Sequence, residues 1–402
     1  MKNSVTAFAA FLLFASGAFA QRQPAVAGFP GMPIANPRLT SAQDNTDLGS
    51  VAQQDDGSDI ANRIKLRGYI DMSYSDISMD KGGDQGTLSV KSVDIDFLFD
   101  FSPVTAEIHV QHENSADDVM GIEQAFVNYS VNPNFNITFG RQLQLLGFDG
   151  DEATDQYLSS RAYFLGDNYD MYKTNTVVDA AHPSTHPNST GIPGYLGKLN
   201  HNYNDGIRAN FNAGRFGFAV GLYDGIWQSN SEEKKMGFAD GEWGIDVQAA
   251  IVIVPGLEAR LGYARHNDYH SYTAPVPPAT TGTATAINGD VDQLNFWIAY
   301  ETGNLTLAAE YSDYDWNGDD GRAWMLLANY QFNSRLGGTL RFSAEDFDKF
   351  DTWKISVGPS IRITENLLTR FEYSYAQSDI YNTGTDSDLD VQMVLAEGLF
   401  TF

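Results

Sequence analysis

The chain of 402 residues carries 25 Lys and Arg against 52 Asp and Glu, which gives a formal net charge of −27, and it contains no cysteine. This acidity excludes a role in nucleic-acid binding, because phosphates are held by cationic side chains. The lack of cysteine excludes a disulfide framework, so an exported fold needs another source of stability, such as a closed sheet with every backbone group paired.

The first residues have the pattern of an export signal. Lys2 precedes an apolar run over 5–14, and Ala18-Phe19-Ala20 forms a small-residue end before Gln21. We therefore predict a signal peptide over residues 1–20, cleaved after Ala20. Its removal takes Lys2 away and leaves 24 − 52 = −28 charges. Neither this run nor any later one reaches the ~20 apolar residues of a membrane-spanning helix.

Residues 21–61 contain four prolines and five aspartates with few large apolar side chains. Such a segment buries too little apolar surface to offset the entropy lost on ordering. We predict a flexible periplasmic leader over this range.

From Arg63 onward, apolar and polar residues alternate in segments of about eight to fourteen residues, which is the period of strands with one apolar and one polar face. In the first segment Ile64 and Leu66 alternate with Lys65 and Arg67. Sixteen such segments are predicted: 63–74, 88–101, 103–113, 121–131, 135–142, 204–212, 216–223, 243–254, 257–266, 291–301, 305–312, 322–332, 336–345, 353–363, 367–376 and 389–402.

The connections between these segments separate a barrel from a soluble sandwich. Short turns, such as Pro255-Gly256, strictly alternate with longer and more acidic loops. An antiparallel membrane barrel has a turn side and a loop side, whereas a sandwich has no reason to sort its connections. We predict an all-β transmembrane antiparallel barrel of about 16 strands over residues 62–402. Its C-terminal Phe402 ends an apolar row and resembles the signal by which outer-membrane barrels are recognised for assembly.

Several short runs carry a family resemblance. Gly140-Arg141-Gln142 continues to Leu146-Gly147-Phe148, and Ser159-Ser160-Arg161, Gly206-Ile207-Arg208 and the run from Gly221 to Trp227 follow. Together they resemble the OmpL-like β-barrel porin family of outer membranes. The phosphate-selective porin family is a near second, but its lysine-rich lining is not matched, because the insert holds only Arg161, Lys173 and Lys198. The resemblance implies a homotrimer in the outer membrane of a Gram-negative-type bacterium.

The one long insert lies between the fifth and sixth segments, over about 142–203, and is the third long loop. In this position it resembles the inward-folding constriction loop of general porins. We predict that it folds into the lumen, with an acidic constriction formed by Asp149, Asp151, Glu152 and Asp155. Charge at the narrowest point selects ions by sign, so an acidic constriction favours cations.

The parity of each strand predicts which charges line the wall. The basic wall is Arg63, Lys65, Arg67, Arg341, Lys354, Arg362 and Arg370. The acidic wall is Asp94, Asp96, Asp100, Glu107 and Glu113. Two interpretations stay open. The charges either produce a transverse electric field across the pore, or they only keep the lining hydrated, with opposite charges that pair and neutralise one another.

Metal and cofactor signals are weak. Asp313, Asp315, Asn317 and Asp319, with Gly318, match the start of a calcium loop, but Trp324 stands where the closing Glu belongs. His182, His186 and His201 in the insert are predicted to be solvated rather than zinc ligands. No cofactor is predicted, apart from calcium as a weak alternative.

These observations predict a passive channel for small hydrophilic solutes and ions that mildly favours cations, with outer-membrane lipid as its surroundings. Two alternatives remain: an outer-membrane barrel enzyme of lipase or protease type, and a blocked structural or adhesive barrel. The enzyme needs a nucleophile with its base near the rim. His266, Asp268 and His270 lie at one loop base without a nucleophile motif, so we predict no enzymatic activity.

Overall fold

A computed structural model describes residues 63–80, 84–113, 120–149, 152–163, 203–227, 243–272, 284–316, 319–347, 350–380 and 387–402. The predicted signal peptide (1–20) and leader (21–61) lie outside the described residues. Within the described ranges, no helix has the length and apolar character needed to span a membrane.

Sixteen strands are described, and they form one closed antiparallel barrel in which each strand pairs with its neighbours in sequence and β1 pairs with β16. The strands are β1 (Ile64–Met79), β2 (Asp84–Phe101), β3 (Val104–Glu113), β4 (Met120–Asn132), β5 (Phe135–Leu143), β6 (Tyr203–Ala213), β7 (Phe216–Tyr223), β8 (Trp243–Val254), β9 (Leu257–Tyr272), β10 (Ala284–Thr302), β11 (Leu305–Trp316), β12 (Asp319–Gln331), β13 (Leu336–Phe347), β14 (Phe350–Arg362), β15 (Leu367–Ile380) and β16 (Ser387–Thr401). The predicted fold class is therefore confirmed.

Short turns connect the strands at one end of the barrel, at the positions that the sequence predicts. Gly256 (φ 85°) and Gly303 (φ 56°) lie in two of these turns. This left-handed backbone region is open to glycine at little steric cost, which explains why glycine marks the turns. The turn side of the barrel is thus defined by local sequence.

Strand lengths at the opposite end differ from the prediction. Residues 267–290 are predicted as a loop, yet β9 continues to Tyr272 and β10 begins at Ala284, with register irregularities near Gly289. Similarly, β11 runs to Trp316 and β12 begins at Asp319. Antiparallel hydrogen bonding continues past the apolar part of each strand, so the hydrophobic pattern underestimates the length of these hairpins.

The two faces of each strand differ in the way that the alternation predicts. In β1, Leu66 and Met72 are exposed, whereas Tyr69 and Asp71 on the other face are buried. The same parity holds in β2, where Phe97 is exposed and Asp94 and Asp96 are buried. One face is therefore a continuous apolar surface, and the other, the polar face, carries buried charged and polar side chains.

The barrel closes between its first and last strands. The backbone N–H of Gly68 donates to the carbonyl of Phe402 (3.1 Å), and the N–H of Phe402 donates to the carbonyl of Gly68 (3.0 Å). A Cβ at Gly68 would lie 2.2 Å from a β2 carbonyl oxygen and 2.8 Å from the ring of Phe402. The C-terminal aromatic therefore packs at a closing seam that only glycine fits.

Candidate functional site

The insert leaves β5 and runs along the polar face of distant strands. Asp246 of β8 accepts a hydrogen bond from the N–H of Leu145 (3.1 Å), and Gln248 donates to its carbonyl (2.6 Å). Asn295 of β10 accepts from the N–H of Gly147 at 3.2 Å. Strand side chains thus satisfy backbone groups that have no partner within the insert, as buried amides require.

Apolar side chains support this first part of the insert. Leu145 and Leu146 are buried in a cluster with Trp297 of β10. Phe148 packs edge-on against Trp297, with ring centroids 5.4 Å apart, and stacks on Tyr157 at 6.4 Å. The insert therefore contributes a small hydrophobic core of its own on the polar face.

Asp149 closes the described insert on itself. Its Oδ2 accepts a hydrogen bond from the N–H of Ala162 (2.6 Å) and pairs with Arg341 of β13 at 3.2 Å. Both side chains of this ion pair are buried. Asp149 thus links the two ends of the described insert to each other and to the wall, and it is not a solvated charge.

Three basic side chains of β13–β15 hold the backbone of residues 153–161. Arg341 donates to the carbonyls of Ser160 (2.8 Å) and Arg161 (2.7 Å). Lys354 donates to the carbonyl of Arg161 at 2.6 Å. Arg370 donates to the carbonyls of Ala153 (2.6 Å), Leu158 (3.4 Å) and Gln156. These contacts to main-chain oxygens fix the path of the insert.

Acidic and aromatic partners complete the attachment. Glu372 of β15 accepts hydrogen bonds from the N–H (2.9 Å) and Oγ (2.6 Å) of Ser160. Tyr163 donates its hydroxyl proton to Glu310 of β11 at 3.2 Å. Burial raises the pKa of Tyr157 to about 12, and burial, followed by the Glu310 carboxylate, raises the pKa of Tyr163 well above its usual value.

A second charged cluster lies on β2–β4. Asp94, Asp96, Glu107, His109 and Glu123 are all buried on the polar face. Arg67 of β1 pairs with Asp96 (2.6 Å) and lies 3.7 Å from Glu107. Glu152 of the insert approaches His109 at 3.8 Å. The insert thus spans from the basic strands to this acidic cluster.

Some predicted site residues occupy other positions. Asp100 accepts the N–H of Ser102 (3.0 Å) in the exposed β2–β3 turn, and Arg362 is exposed at the end of β14. The wall prediction is corrected for both, because each has the right parity but lies at the rim. Arg63 and Lys65 are partly buried at the start of β1, and Asp155 is partly buried in the insert. Asp151 and the side chain of Glu113 lie outside the described residues.

The predicted calcium residues do not form one loop. Asp313 and Asp315 belong to β11, and Asp319 begins β12; Asn317 lies outside the described part of the chain. Asp313 approaches Arg322 of the paired strand at 3.7 Å. An extended strand does not wrap oxygens around an ion as a calcium loop does, so the loop geometry is corrected, while calcium binding itself stays untested.

His266, which the sequence placed near an enzyme rim, has a structural role here. Its Nδ1 accepts hydrogen bonds from the N–H groups of Ile226 (3.3 Å) and Trp227 (3.4 Å), and its ring stacks near that of Trp227. The imidazole therefore positions the segment after β7.

Sequence reasoning missed His109 and Glu123, and it gave Glu372 no role in the site. All three were identifiable as polar-face positions by parity, since His109 shares its row with Glu107. Nothing local signalled their partners, because Glu372 contacts a residue 212 positions away. Strand parity identifies the face on which a side chain lies, but it does not give the position of that side chain along the barrel axis.

No protein-family profile matches the chain, and no curated protein matches it. Solved structures do match. The anion-selective porin from Comamonas acidovorans is 13% identical, with 84% of this chain and 99% of that chain covered and a TM-score of 0.57. The barrel has the porin fold. The same fold is found in OprB from Pseudomonas putida, which is 12% identical, with 90% of this chain and 97% of that chain covered and a TM-score of 0.56. It is also found in Salmonella typhi OmpF in complex with daunomycin, which is 12% identical, with 84% of this chain and 97% of that chain covered and a TM-score of 0.55. Membership of the OmpL-like family stays a prediction.

Proposed function

We propose that the chain is an outer-membrane channel for passive diffusion of small hydrophilic solutes and ions. The supporting observation is the closed 16-strand barrel, whose exposed face is apolar and whose other face is polar and charged. A wide membrane barrel requires this division, because one face meets lipid and the other meets water. The fold shared with porins supports the same function.

We further propose that the insert lies in the lumen as the constriction. Its described residues contact the polar face of β3, β8, β10, β11 and β13–β15. One short segment reaches the same face of strands so far apart only across the inside of a closed barrel. Residues 144–149 and 152–163 therefore form a partition that a solute must pass.

Charge pairing supports a mild preference for cations. Arg341 is paired with Asp149 and lies 3.9 Å from Glu372, and Arg370 is paired with Glu397. The charges of Arg341 and Arg370 are thus paired with carboxylates. On β2–β4 and the insert, by contrast, five carboxylates face Arg67 and His109. The net potential beside the insert is negative, which attracts cations.

The test is reversal potential across planar bilayers with the refolded full-length protein. We expect a potassium-over-chloride preference that shrinks as salt rises, because screening acts over about 8 Å at physiological ionic strength. Neutralising the four predicted constriction carboxylates, Asp149, Asp151, Glu152 and Asp155, to Asn or Gln lowers the preference, partly because it unmasks Arg341. Asp100→Asn at the rim turn is the matched control and leaves the ratio unchanged.

An unchanged ratio in the fourfold variant would show that these carboxylates do not line the path. A parent channel that prefers chloride would assign selectivity to the basic wall. A refolded barrel without conductance would favour the blocked structural barrel over the channel, and hydrolytic activity on lipid or peptide substrates would favour the barrel enzyme.

The export signal and leader predicted for residues 1–61 fit this location. A homotrimer rests only on the family resemblance, and native mass measurement of the detergent-solubilised protein decides it.

A further inference from the structure

Four metal-ligating side chains converge where the insert meets β2–β4. Asp94, His109, Glu123 and Glu152 each offer one ligand atom, and these atoms all lie within 4.8 Å of one another. The first three are buried, with Asp94 at 0% and His109 at 1% exposure, while the side chain of Glu152 is 17% exposed. Three strands and the insert therefore contribute to one cluster.

The hydrogen bonds of His109 assign its two ring nitrogens. Gln124 accepts the N–H of Leu143 through its Oε1 (3.3 Å), so its amide NH₂ group faces Nδ1 of His109 at 3.2 Å. Nδ1 is then the acceptor, and Nε2–H donates to Glu107 at 3.0 Å. Nδ1 also lies 3.1 Å from Oδ1 of Asp96 and 3.8 Å from Oε1 of Glu152, so an ion bound among these oxygens would take the Nδ1 lone pair in place of the Gln124 contact.

Asp94 supplies an independent observation. Among the described residues, neither of its buried carboxylate oxygens has a hydrogen-bond partner of normal geometry. A buried carboxylate without a partner is costly, and such groups are normally paired or coordinate a metal. Its ligand atom is directed into the cluster with His109 and Glu123. Asp94 thus presents buried, unsatisfied carboxylate oxygens to the cluster, as a cation ligand would.

Charge balance at the cluster also calls for a cation. Asp94, Glu123 and Glu152 share the site, and the adjacent Asp96 and Glu107 pair with Arg67. Carboxylates held this close repel one another strongly where water is excluded. A bound divalent ion removes most of this repulsion.

We propose that Asp94, His109, Glu123 and Glu152 bind a divalent transition-metal ion of the Zn²⁺ class. One imidazole nitrogen with carboxylate oxygens suits such an ion, whereas Ca²⁺ and Mg²⁺ prefer all-oxygen sites. With bonds of about 2.0–2.2 Å, ligand atoms on opposite sides of the ion lie up to about 4.4 Å apart. Small rotations of the side chains close the observed spacing.

The surroundings match those of a metal-bound histidine. A ligating imidazole usually donates its other N–H to a carboxylate, which fixes the tautomer and ring orientation. Glu107 accepts that N–H from His109. The partial exposure of Glu152 provides the entry side. Because Glu152 belongs to the insert and the other three ligands belong to strands, the ion fastens the insert to the wall.

The test is calorimetric titration of ZnCl₂ into the refolded, chelator-treated full-length barrel. We expect one Zn²⁺ per chain and no displacement by an excess of Mg²⁺ or Ca²⁺. Asp94→Asn and His109→Gln each weaken binding at least tenfold, and Glu107→Gln weakens it by about 10–100-fold through ligand orientation. His112→Gln, a histidine on the same strand outside the cluster, is the matched control and binds as the parent does.

Binding is measured directly and does not depend on whether the barrel conducts, so this test and the channel test fail separately. Each variant is first checked for folding by its migration on unheated gels; if His109→Gln does not fold, Asp94→Asn carries the test. Parent-like Zn²⁺ affinity in the folded variants, no Zn²⁺ binding by the parent, or tighter binding of Ca²⁺ than of Zn²⁺ would each overturn the assignment.

Discussion

Arg341 is the side chain whose removal tests the attachment of the insert most sharply. It is buried and contacts Asp149 at 3.2 Å and the carbonyls of Ser160 and Arg161 at 2.8 and 2.7 Å. Arg341→Met keeps most of the side-chain volume and removes the charge. Asp149 then loses its cation, the carbonyl of Ser160 loses the Arg341 donor, and the carbonyl of Arg161 keeps Lys354 as a donor.

The expected cost follows from the burial of both partners. Breaking a buried ion pair by removing one member costs about 3–5 kcal/mol, because the other charge is left uncompensated. Since about 1.4 kcal/mol corresponds to a factor of ten, local opening of residues 152–163 becomes more frequent by a factor of about one hundred to several thousand. The barrel itself keeps its strand hydrogen bonds, so its global stability changes little.

Hydrogen exchange followed by mass spectrometry measures this opening segment by segment. We expect faster exchange in residues 152–163 and unchanged exchange in β13, together with noisier single-channel currents. Arg362→Met, at the exposed end of β14, is the control and leaves both unchanged. Equal acceleration in the insert and in the strands would refute the reasoning, as would parent-like exchange of the insert.

Three further outcomes are expected. Gly68→Ala places a Cβ 2.2 Å from a main-chain oxygen of β2, so we expect it to lower the stability of the barrel by about 1–3 kcal/mol and to reduce the folded fraction on unheated gels. Gly121→Ala is the control, because a Cβ at that position has nothing within 4 Å. Equal folded fractions for the two variants would show that the seam tolerates a methyl group. Because burial raises the pKa of Tyr157 to about 12, the contribution of Tyr157 to insert docking is complete below pH 10 and is lost as the pH rises through 12. Near-ultraviolet titration of the parent protein, compared with Tyr157→Phe, measures the ionisation of this side chain. Ionisation of Tyr157 near pH 10 would contradict the prediction. Protease added to intact cells cuts within the β9–β10 connection, 273–283, and spares Pro255-Gly256; the reverse pattern would invert the orientation.

The strands were predictable because their determinants are local. Alternation over β1 or β2 identifies the two faces, and glycine at positions such as Gly256 and Gly303 marks the turns. The extension of β9 to Tyr272 was not predictable, because beyond the membrane the ladder is held by backbone hydrogen bonds rather than by an apolar face.

The candidate site was predictable only in part, for the same physical reason. Parity correctly placed Arg341, Lys354 and Arg370 on the polar face, yet their partners lie far away in sequence; Arg370 contacts a carbonyl 217 positions before it. Pairing at that distance depends on strand register and on the path of the insert. Asp149 was therefore interpreted as a solute-facing charge, although it is buried against Arg341.

Basic side chains of the wall bind residues 153–161 of the insert by hydrogen bonds to main-chain oxygens, at Ala153, Leu158, Ser160 and Arg161. Every amino acid presents the same carbonyl, so these main-chain contacts do not depend on the identity of the side chains at the four positions. Thr154, which is exposed, can thus be exchanged without weakening the attachment. Exposed positions of the insert can therefore be varied by mutation or design, while the main-chain contacts to the wall keep the loop on the same path.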